Sequence, residues 1–194
     1  LDHARHEAEA LDIDPRALNL NEELTAAARL FGPMAEKKNL SLSLDVPVRP
    51  IRPPLDRAYL HRVLSNLLSN AIKFTIEGYV SMEIYHRTGS DVGNHFNHLE
   101  FRITDTGVGI KAEDAYRIFE PFSQSDESLT KQYSGTGLGL SITKYFIEKL
   151  DGDIGFSSQL GTGSTFWFNI PYQASNPNIY YKQHPLDSLS VLVY

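Results

Sequence analysis

Apolar and polar residues alternate in two rhythms along this chain, and each change of rhythm marks a new element. "LSLSLDV" (40–46), "GYVSMEIYH" (78–86) and "HLEFRIT" (98–104) place apolar side chains at every second position, which predicts strands with one buried face. "DIGFSSQ" (153–159) and "STFWFNIPY" (164–172) read the same way around the turn "LGTG". The polar stretch "RTGSDVGNHFN" (87–97) reads as a loop between two hairpin strands; His95 within it and His98 just after it resemble a metal pair only by proximity and are not read as one. A helical period appears in "RVLSNLLSNAIKFT" (62–75), where Val63, Leu64, Leu67, Leu68, Ala71 and Ile72 form one apolar stripe that Asp56 is placed to cap. "NLNEELTAAARLFGPMAEKKNL" (19–40) is a second helix. Asn19 or Asn21 is its cap, Gly32-Pro33 is expected to interrupt or bend it, and Asn39 closes it. "AEDAYRIF" (112–119) predicts a short helix and "LSITKYFIEKL" (140–150) a longer one ended by Asp151-Gly152. Strands with helices gathered between them predict an α/β (α+β) two-layer sandwich, one mixed sheet covered on one face by helices.

Three polar residues on the 62–75 helix do not belong to its core stripe. Asn66, Asn70 and Lys73 are spaced four and three apart, so they share a neighbouring face able to look into a pocket. Taken alone they are an ordinary solvated stripe. Two glycine loops change that weighting. "DTGVGI" (105–110) follows a strand, and Gly107 and Gly109 let the backbone turn and approach a ligand. "GTGLGL" (135–140) opens a helix after a loop carrying Lys131, and freed N–H groups at a helix start attract anions. Neither loop fits a dinucleotide fingerprint, because Leu140 stands where that pattern needs glycine. No glycine-lysine-Ser/Thr phosphate loop occurs, nor the HRD and DFG elements of common protein kinases.

Composition narrows the field without deciding it. The 194 residues are 41% hydrophobic and 22% charged, ordinary for a globular chain, and the formal net charge of -6 argues against a nucleic-acid surface. There is no cysteine, so disulfides and thiolate zinc sites are excluded. No apolar run approaches membrane-spanning length, and the opening "LDHARHEAEALDID" is too acidic for a signal peptide, so this piece reads as soluble.

The motifs "LHRVLSNLLSNAIKFT", "DTGVGI", "IFEPFSQSD", "GTGLGLSI" and "GTGSTFWF" occur in an order and spacing that resembles the catalytic, ATP-binding domain of sensor histidine kinases. That domain belongs to the superfamily that includes gyrases and mismatch-repair ATPases, and its Bergerat-type fold is a mixed sheet with helices on one side. The resemblance covers roughly residues 15–172. It implies ATP and Mg²⁺ as cofactors, with Asn70 supplying an amide oxygen to the metal, Lys73 and Lys131 reaching phosphate, and Phe74 packing near the adenine. Asn66 stands where the ATP-hydrolysing relatives carry a glutamate base. Asp105 matches the aspartate that accepts from the adenine amino group, with Gly107, Gly109 and Ile110 beside the base. Thr165 resembles the threonine that reaches the adenine through water. Gly135, Thr136, Gly137, Leu138, Gly139 and Leu140 correspond to the hinge and phosphate cradle, and Phe119 and Phe122 to the anchors of the lid. Gln124 occupies a position where some kinases have a phosphate-contacting arginine, so this chain departs there from the family pattern.

The same resemblance implies a transferase that passes the γ-phosphate of ATP to a histidine on a dimerisation hairpin. The Ser-His-Glu type motif that carries such a histidine is not present in this sequence. Residues 1–14 read as the end of that hairpin's second helix, 15–172 as the catalytic domain, 173–188 as a linker, and 189–194, "LSVLVY", as the start of a receiver-like domain. His3 and His6 read as exposed helix-end residues. The implied partners are the dimerisation helices of the same protein, in a homodimer, and a receiver domain fused C-terminally as in a hybrid kinase; nucleic acid is not among them. The domain is expected in the cytoplasm, with membrane anchoring of the whole protein left open. The competing readings are a nucleotide-binding docking module without kinase activity and a serine kinase of the anti-sigma type.

Overall fold

The computed structural model describes residues 16–47, 50–91, 94–123, 137–172 and 188–193. Six strands make one sheet in the order β6-β7-β5-β4-β2-β8, where β2 is Ser41–Pro47, β4 Tyr79–Asp91, β5 Asn94–Asp105, β6 Asp153–Gln159, β7 Gly163–Pro171 and β8 Ser188–Val193. A separate two-stranded pair, β1 (Arg16–Ala17) with β3 (Pro54–Leu55), joins the chain ahead of the first helix to the chain ahead of the second. The described helices are α1 (Leu20–Lys37), α2 (Arg57–Phe74) and α3 (Gly139–Lys149). Among the described strands only β2 and β4 pair parallel, and α2 lies in the connection between them, as a parallel crossover requires. The expected mixed sheet with its helical layer is therefore what forms.

Alternation decides which sheet face is covered. Leu42, Leu44 and Val46 of β2, Val80, Met82 and Ile84 of β4, and Leu99, Phe101 and Ile103 of β5 are all buried. They meet the apolar stripe of α2, from Tyr59 and Leu60 to Ala71 and Ile72, and the buried face of α1 from Leu20 to Ala35. Phe101 and Phe168 stack at 4.5 Å between ring centroids across the β5–β7 pair, while Tyr59 of α2 meets Phe146 of α3 edge-on at 4.8 Å. Asp56 caps α2 as its position predicts, accepting from the N–H groups of Ala58 at 2.7 Å and Tyr59 at 3.1 Å. Asp56→Ala is expected to lower unfolding free energy by about 1 kcal/mol in urea titrations, the usual loss of a side-chain cap; an unchanged midpoint would mean that α2 draws nothing from its cap.

Four expectations change. Asn19 occupies the start of α1, yet its amide donates to Glu22 Oε1 at 2.6 Å, and Asn21 donates to the Pro47 carbonyl, so neither side chain caps the helix. Of the interruption or bend expected at Gly32-Pro33, the interruption does not occur: α1 runs as one helix to Lys37, with Leu24, Ala27, Ala28, Phe31 and Ala35 holding its face in the core. The stretch 87–97 is mostly strand rather than loop: β4 and β5 stay paired out to Asp91 and Asn94, since ladder bonds need backbone and not apolar alternation. The 112–119 segment forms only a 3₁₀ turn at Ala115–Arg117. Its bonds run from Asp114 N–H to Lys111 O, Arg117 N–H to Asp114 O and Glu120 N–H to Arg117 O, a three-residue step throughout. The apolar 188–193 stretch is a strand that pairs antiparallel with the outer edge of β2. The segments 1–14 and 173–187 lie outside the described residues.

Candidate functional site

Two strand ends and the final turns of α2 meet where β5 finishes. Asp105 is only 7% exposed. Its Oδ1 accepts from the N–H groups of Gly107 at 2.8 Å and Ser164 at 3.3 Å, while its Oδ2 accepts from no donor among the described residues. Burial pushes the carboxyl pKa up, and the two backbone hydrogen bonds pull it part of the way back. The result is a half-satisfied, desolvated acceptor beside a backbone loop.

Glycine is required at that loop for reasons of space. A Cβ on Gly107 would lie 2.5 Å from the Phe74 carbonyl oxygen and 2.7 Å from Asp105 Oδ1. Gly109 has φ +70°, and its Cβ would lie 2.2 Å from the Gln159 carbonyl oxygen. Hydrogen bonds sew the loop to the β6–β7 turn: Gly161 N–H donates to Val108 O at 2.8 Å and Ile110 N–H to Ser158 Oγ at 2.8 Å. Ser158 Oγ in turn lies 2.9 Å from Ser164 Oγ. On the other side, Val108 N–H donates to the Phe74 carbonyl at 3.2 Å, which ties the loop to the end of α2.

The polar face of α2 runs from that end toward α3. Lys73 is half-buried with its ammonium 4.9 Å from the Phe74 ring centroid, and burial pushes its pKa down. Phe74 is exposed. Asn70 is half-buried, and its side chain has no hydrogen-bond partner among the described residues. Asn66 instead reaches across to α3, donating to Thr143 Oγ1 at 2.6 Å. A Cβ on Gly139 would lie 2.3 Å from Asn66 Oδ1, so glycine is what lets α3 begin beside that amide. An open cavity of about 560 Å³ lies between the two helices there, lined by Asn66, Arg62, Gly139 and Thr143 together with Phe31 and Phe146. It adjoins the Asn66 end of the polar face and does not include Asp105.

Gly137 and Phe122 clasp the ends of the intervening segment. Phe122 N–H donates to the Gly137 carbonyl at 3.0 Å, and both residues sit in the left-handed region, at φ 62° and φ 69°. Phe119 packs its ring 6.0 Å from that of Phe156. Leu138 and Leu140 lie at the first turn of α3. Lys131, Gly135, Thr136 and Gln124 fall outside the described residues, as do His3 and His6. The structure thus gathers Asp105, Gly107, Gly109, Ile110, Lys73 and Phe74 at one end of α2, and Asn66, Gly137, Leu138, Gly139 and Leu140 at the start of α3, with Asn70 between them on α2.

Thr165 requires a correction. It pairs with Thr104 across the β5–β7 ladder, its hydroxyl 3.1 Å from that of Thr104, on the sheet face opposite Asp105. The residue opposite Asp105 is Ser164, whose side chain is buried on the same face. A count of period two back from the buried Phe168 through Phe166 would have found it.

Known proteins resemble this chain over most of its length. A family model described as "Histidine kinase-, DNA gyrase B-, and HSP90-like ATPase" matches residues 55–174. The signal transduction histidine-protein kinase BarA of Escherichia coli (strain K12) is 38% identical over 183 residues, which are 92% of this chain and 19% of that protein. The sensory/regulatory protein RpfC of Xanthomonas campestris pv. campestris (strain ATCC 33913) is 36% identical over 180 residues, 91% of this chain and 24% of its own length. This chain therefore spans about a fifth to a quarter of the curated relatives it matches. Among solved structures, the crystal structure of full-length ShkA in complex with AMPPNP superposes with a TM-score of 0.69 at 28% identity, covering 87% of this chain and 33% of that one. No described helix is long and apolar enough to cross a membrane.

Proposed function

The chain belongs to the family of histidine kinase-, DNA gyrase B- and HSP90-like ATPases, and on that premise we propose that it binds ATP with Mg²⁺ and donates the γ-phosphate to a histidine. The observation that carries the reading is Asp105, a buried carboxylate with one oxygen held by two backbone amides and the other left to accept from a ligand. The 6-amino group of adenine is a donor of the right kind, whereas guanine carries an acceptor oxygen at that position, so the carboxylate favours adenine over guanine. Phe74 offers an exposed ring, Gly107 and Gly109 admit the base close to backbone, and Ser164 replaces Thr165 as the hydroxyl beside it.

Toward α3, Asn70 is a neutral amide with no competing partner, and a hard cation that keeps most of its waters needs few such ligands. Mg²⁺, when bound, neutralises phosphate charge. Lys73 supplies a point charge to the same phosphates, and its depressed pKa reflects a site where an anion would repay its desolvation. Gly137 and Gly139 expose backbone N–H groups at the start of α3. Transfer breaks the bond between Pγ and its bridging oxygen, forms one to an imidazole nitrogen, and releases ADP. The protein's part is positioning and charge, with no covalent step of its own.

The acceptor is proposed to lie on dimerisation helices of the same protein, in a homodimer, and Lys131, Gly135 and Thr136 to complete the phosphate cradle. Residues 189–194 remain our proposed start of a receiver-type domain, on the strength of their apolar run. A cytoplasmic placement follows from the ATP requirement.

Calorimetry tests the site. The chain is expected to bind ATP in preference to GTP, and Asn70→Ala to weaken ATP binding by roughly tenfold with Mg²⁺ present and much less without it. Equal weakening in both conditions would give Asn70 a structural role, and failure of the unaltered chain to bind ATP would remove the reading.

A further inference from the structure

The end of an α-helix leaves its last carbonyls without intrahelical donors, and at the end of α2 each of them has a named partner. Ala71 O accepts from Thr75 N–H at 3.1 Å and from the Thr75 hydroxyl at 2.7 Å. Ile72 O, Lys73 O and Thr75 O all accept from one group, the Lys38 ammonium, each at 2.8 Å. Phe74 O is left over, and it accepts from Val108 N–H. Three ammonium protons thus meet three carbonyls, and the fourth carbonyl is tied to the Gly107 loop.

Lys38 is held in place by the way α1 stops. Leu40 N–H returns to Ala35 O at 3.0 Å and Asn39 N–H to Glu36 O at 2.9 Å, with Asn39 at φ 55°, which is the Schellman arrangement. Leu40 is buried, so the turn is anchored in the core. A lysine at a helix end ordinarily serves its own helix dipole. This one crosses to another helix, and the turn it clasps carries Lys73, Phe74 and the carbonyl that fixes Val108.

We propose that Lys38 is a positioning residue of the nucleotide site: its ammonium clamps the C-terminal carbonyls of α2 and so sets Lys73, Phe74 and the Asp105–Gly109 loop for the ligand. The proposal rests on the nucleotide reading above. It acts without touching the ligand, through the Phe74–Val108 bond on one side and the last turn of α2 on the other.

The chain has no cysteine, so a single one can be alkylated selectively. Lys38→Cys is treated in denaturant with 2-bromoethylamine, which rebuilds a lysine-like ammonium, or with 1-bromopropane, which gives a neutral side chain of the same length; both are then refolded. ATP with Mg²⁺ is the probe, by calorimetry, alongside circular dichroism and hydrogen exchange at the Val108 amide. The ammonium adduct is expected to bind within about threefold of the unaltered chain. The propyl adduct is expected to bind about tenfold more weakly, with unchanged circular dichroism and faster Val108 exchange, as loss of charge-assisted bonds to one turn requires. Equal affinity of the two adducts would overturn the proposal. So would a propyl adduct that does not fold, since Lys38 would then be a folding residue. If the unaltered chain binds no ATP, the nucleotide reading fails, and equal Val108 exchange in the two adducts would separately dispose of the clamp.

Discussion

Incubated with γ-labelled ATP and Mg²⁺, this chain alone is expected to take up no label and to release phosphate slowly. Addition of a dimerisation hairpin bearing an acceptor histidine is expected to produce a protein-bound label that is lost in acid and kept in base. The argument starts at Asn66. The resemblance puts it where hydrolysing relatives have a glutamate base, and in this structure its amide is committed to Thr143 at 2.6 Å. An amide takes no proton, and a positioned general base is worth roughly a hundredfold or more in rate, so water attack lacks its usual assistance. The second half concerns the acceptor, since no Ser-His-Glu type motif is present in the sequence. Rapid phosphate release would make the chain an ATPase. An acid-stable label would favour a serine kinase, and ATP binding with no transfer to any hairpin would favour a docking module. Labelling of the chain alone that disappears when His3 and His6 are replaced would make one of those residues the acceptor.

The parts of this site that sequence could reveal are those whose chemistry is local. Asn66, Asn70 and Lys73 are legible because one helix's period puts them on one face, and Asp105, Gly107 and Gly109 because a strand end and a tight turn sit within a few residues. Ser164 and Thr165 are told apart only by register, since neighbours along a strand point to opposite faces of the sheet. A shift of one residue crosses the sheet, and the pairing Asp105↔Ser164 puts the Ser164 hydroxyl on the face of the carboxylate. Lys38 gave no signal at all. In the chain it reads as a cation at the end of α1, and its three acceptors lie 34, 35 and 37 residues away in another helix. The unbroken course of α1 through Pro33 has the same origin: a local preference for a break is outweighed by a buried face whose partners are distant in sequence.

Asp105→Ala is expected to weaken ATP binding by roughly tenfold to a hundredfold, the loss of one hydrogen bond to a charged acceptor of about 1.5 to 3 kcal/mol. Asp105→Asn separates charge from shape and gives the pH dependence its sign. Burial raises the carboxyl pKa in the folded chain above its ordinary value, so between those two values the folded state holds the proton more often than the unfolded one. Stability without nucleotide therefore falls as pH rises through that window and levels off above it. Affinity runs the other way: as pH falls through the raised value, the carboxylate takes a proton, Oδ2 ceases to be a charged acceptor, and ATP binding weakens. Asn removes both effects. Its Oδ1 still accepts from Gly107 and Ser164, and the desolvated charge is gone. The Asn variant is expected to melt at or above the temperature of the unaltered chain at neutral pH, while binding ATP more weakly and without the acid-side decline. Scanning calorimetry and titration across the acid range measure the two together. An Asn variant with undiminished ATP affinity would take Asp105 out of the adenine site. One that melts well below the unaltered chain would show that the charge serves the fold, with its two backbone bonds outweighing its burial.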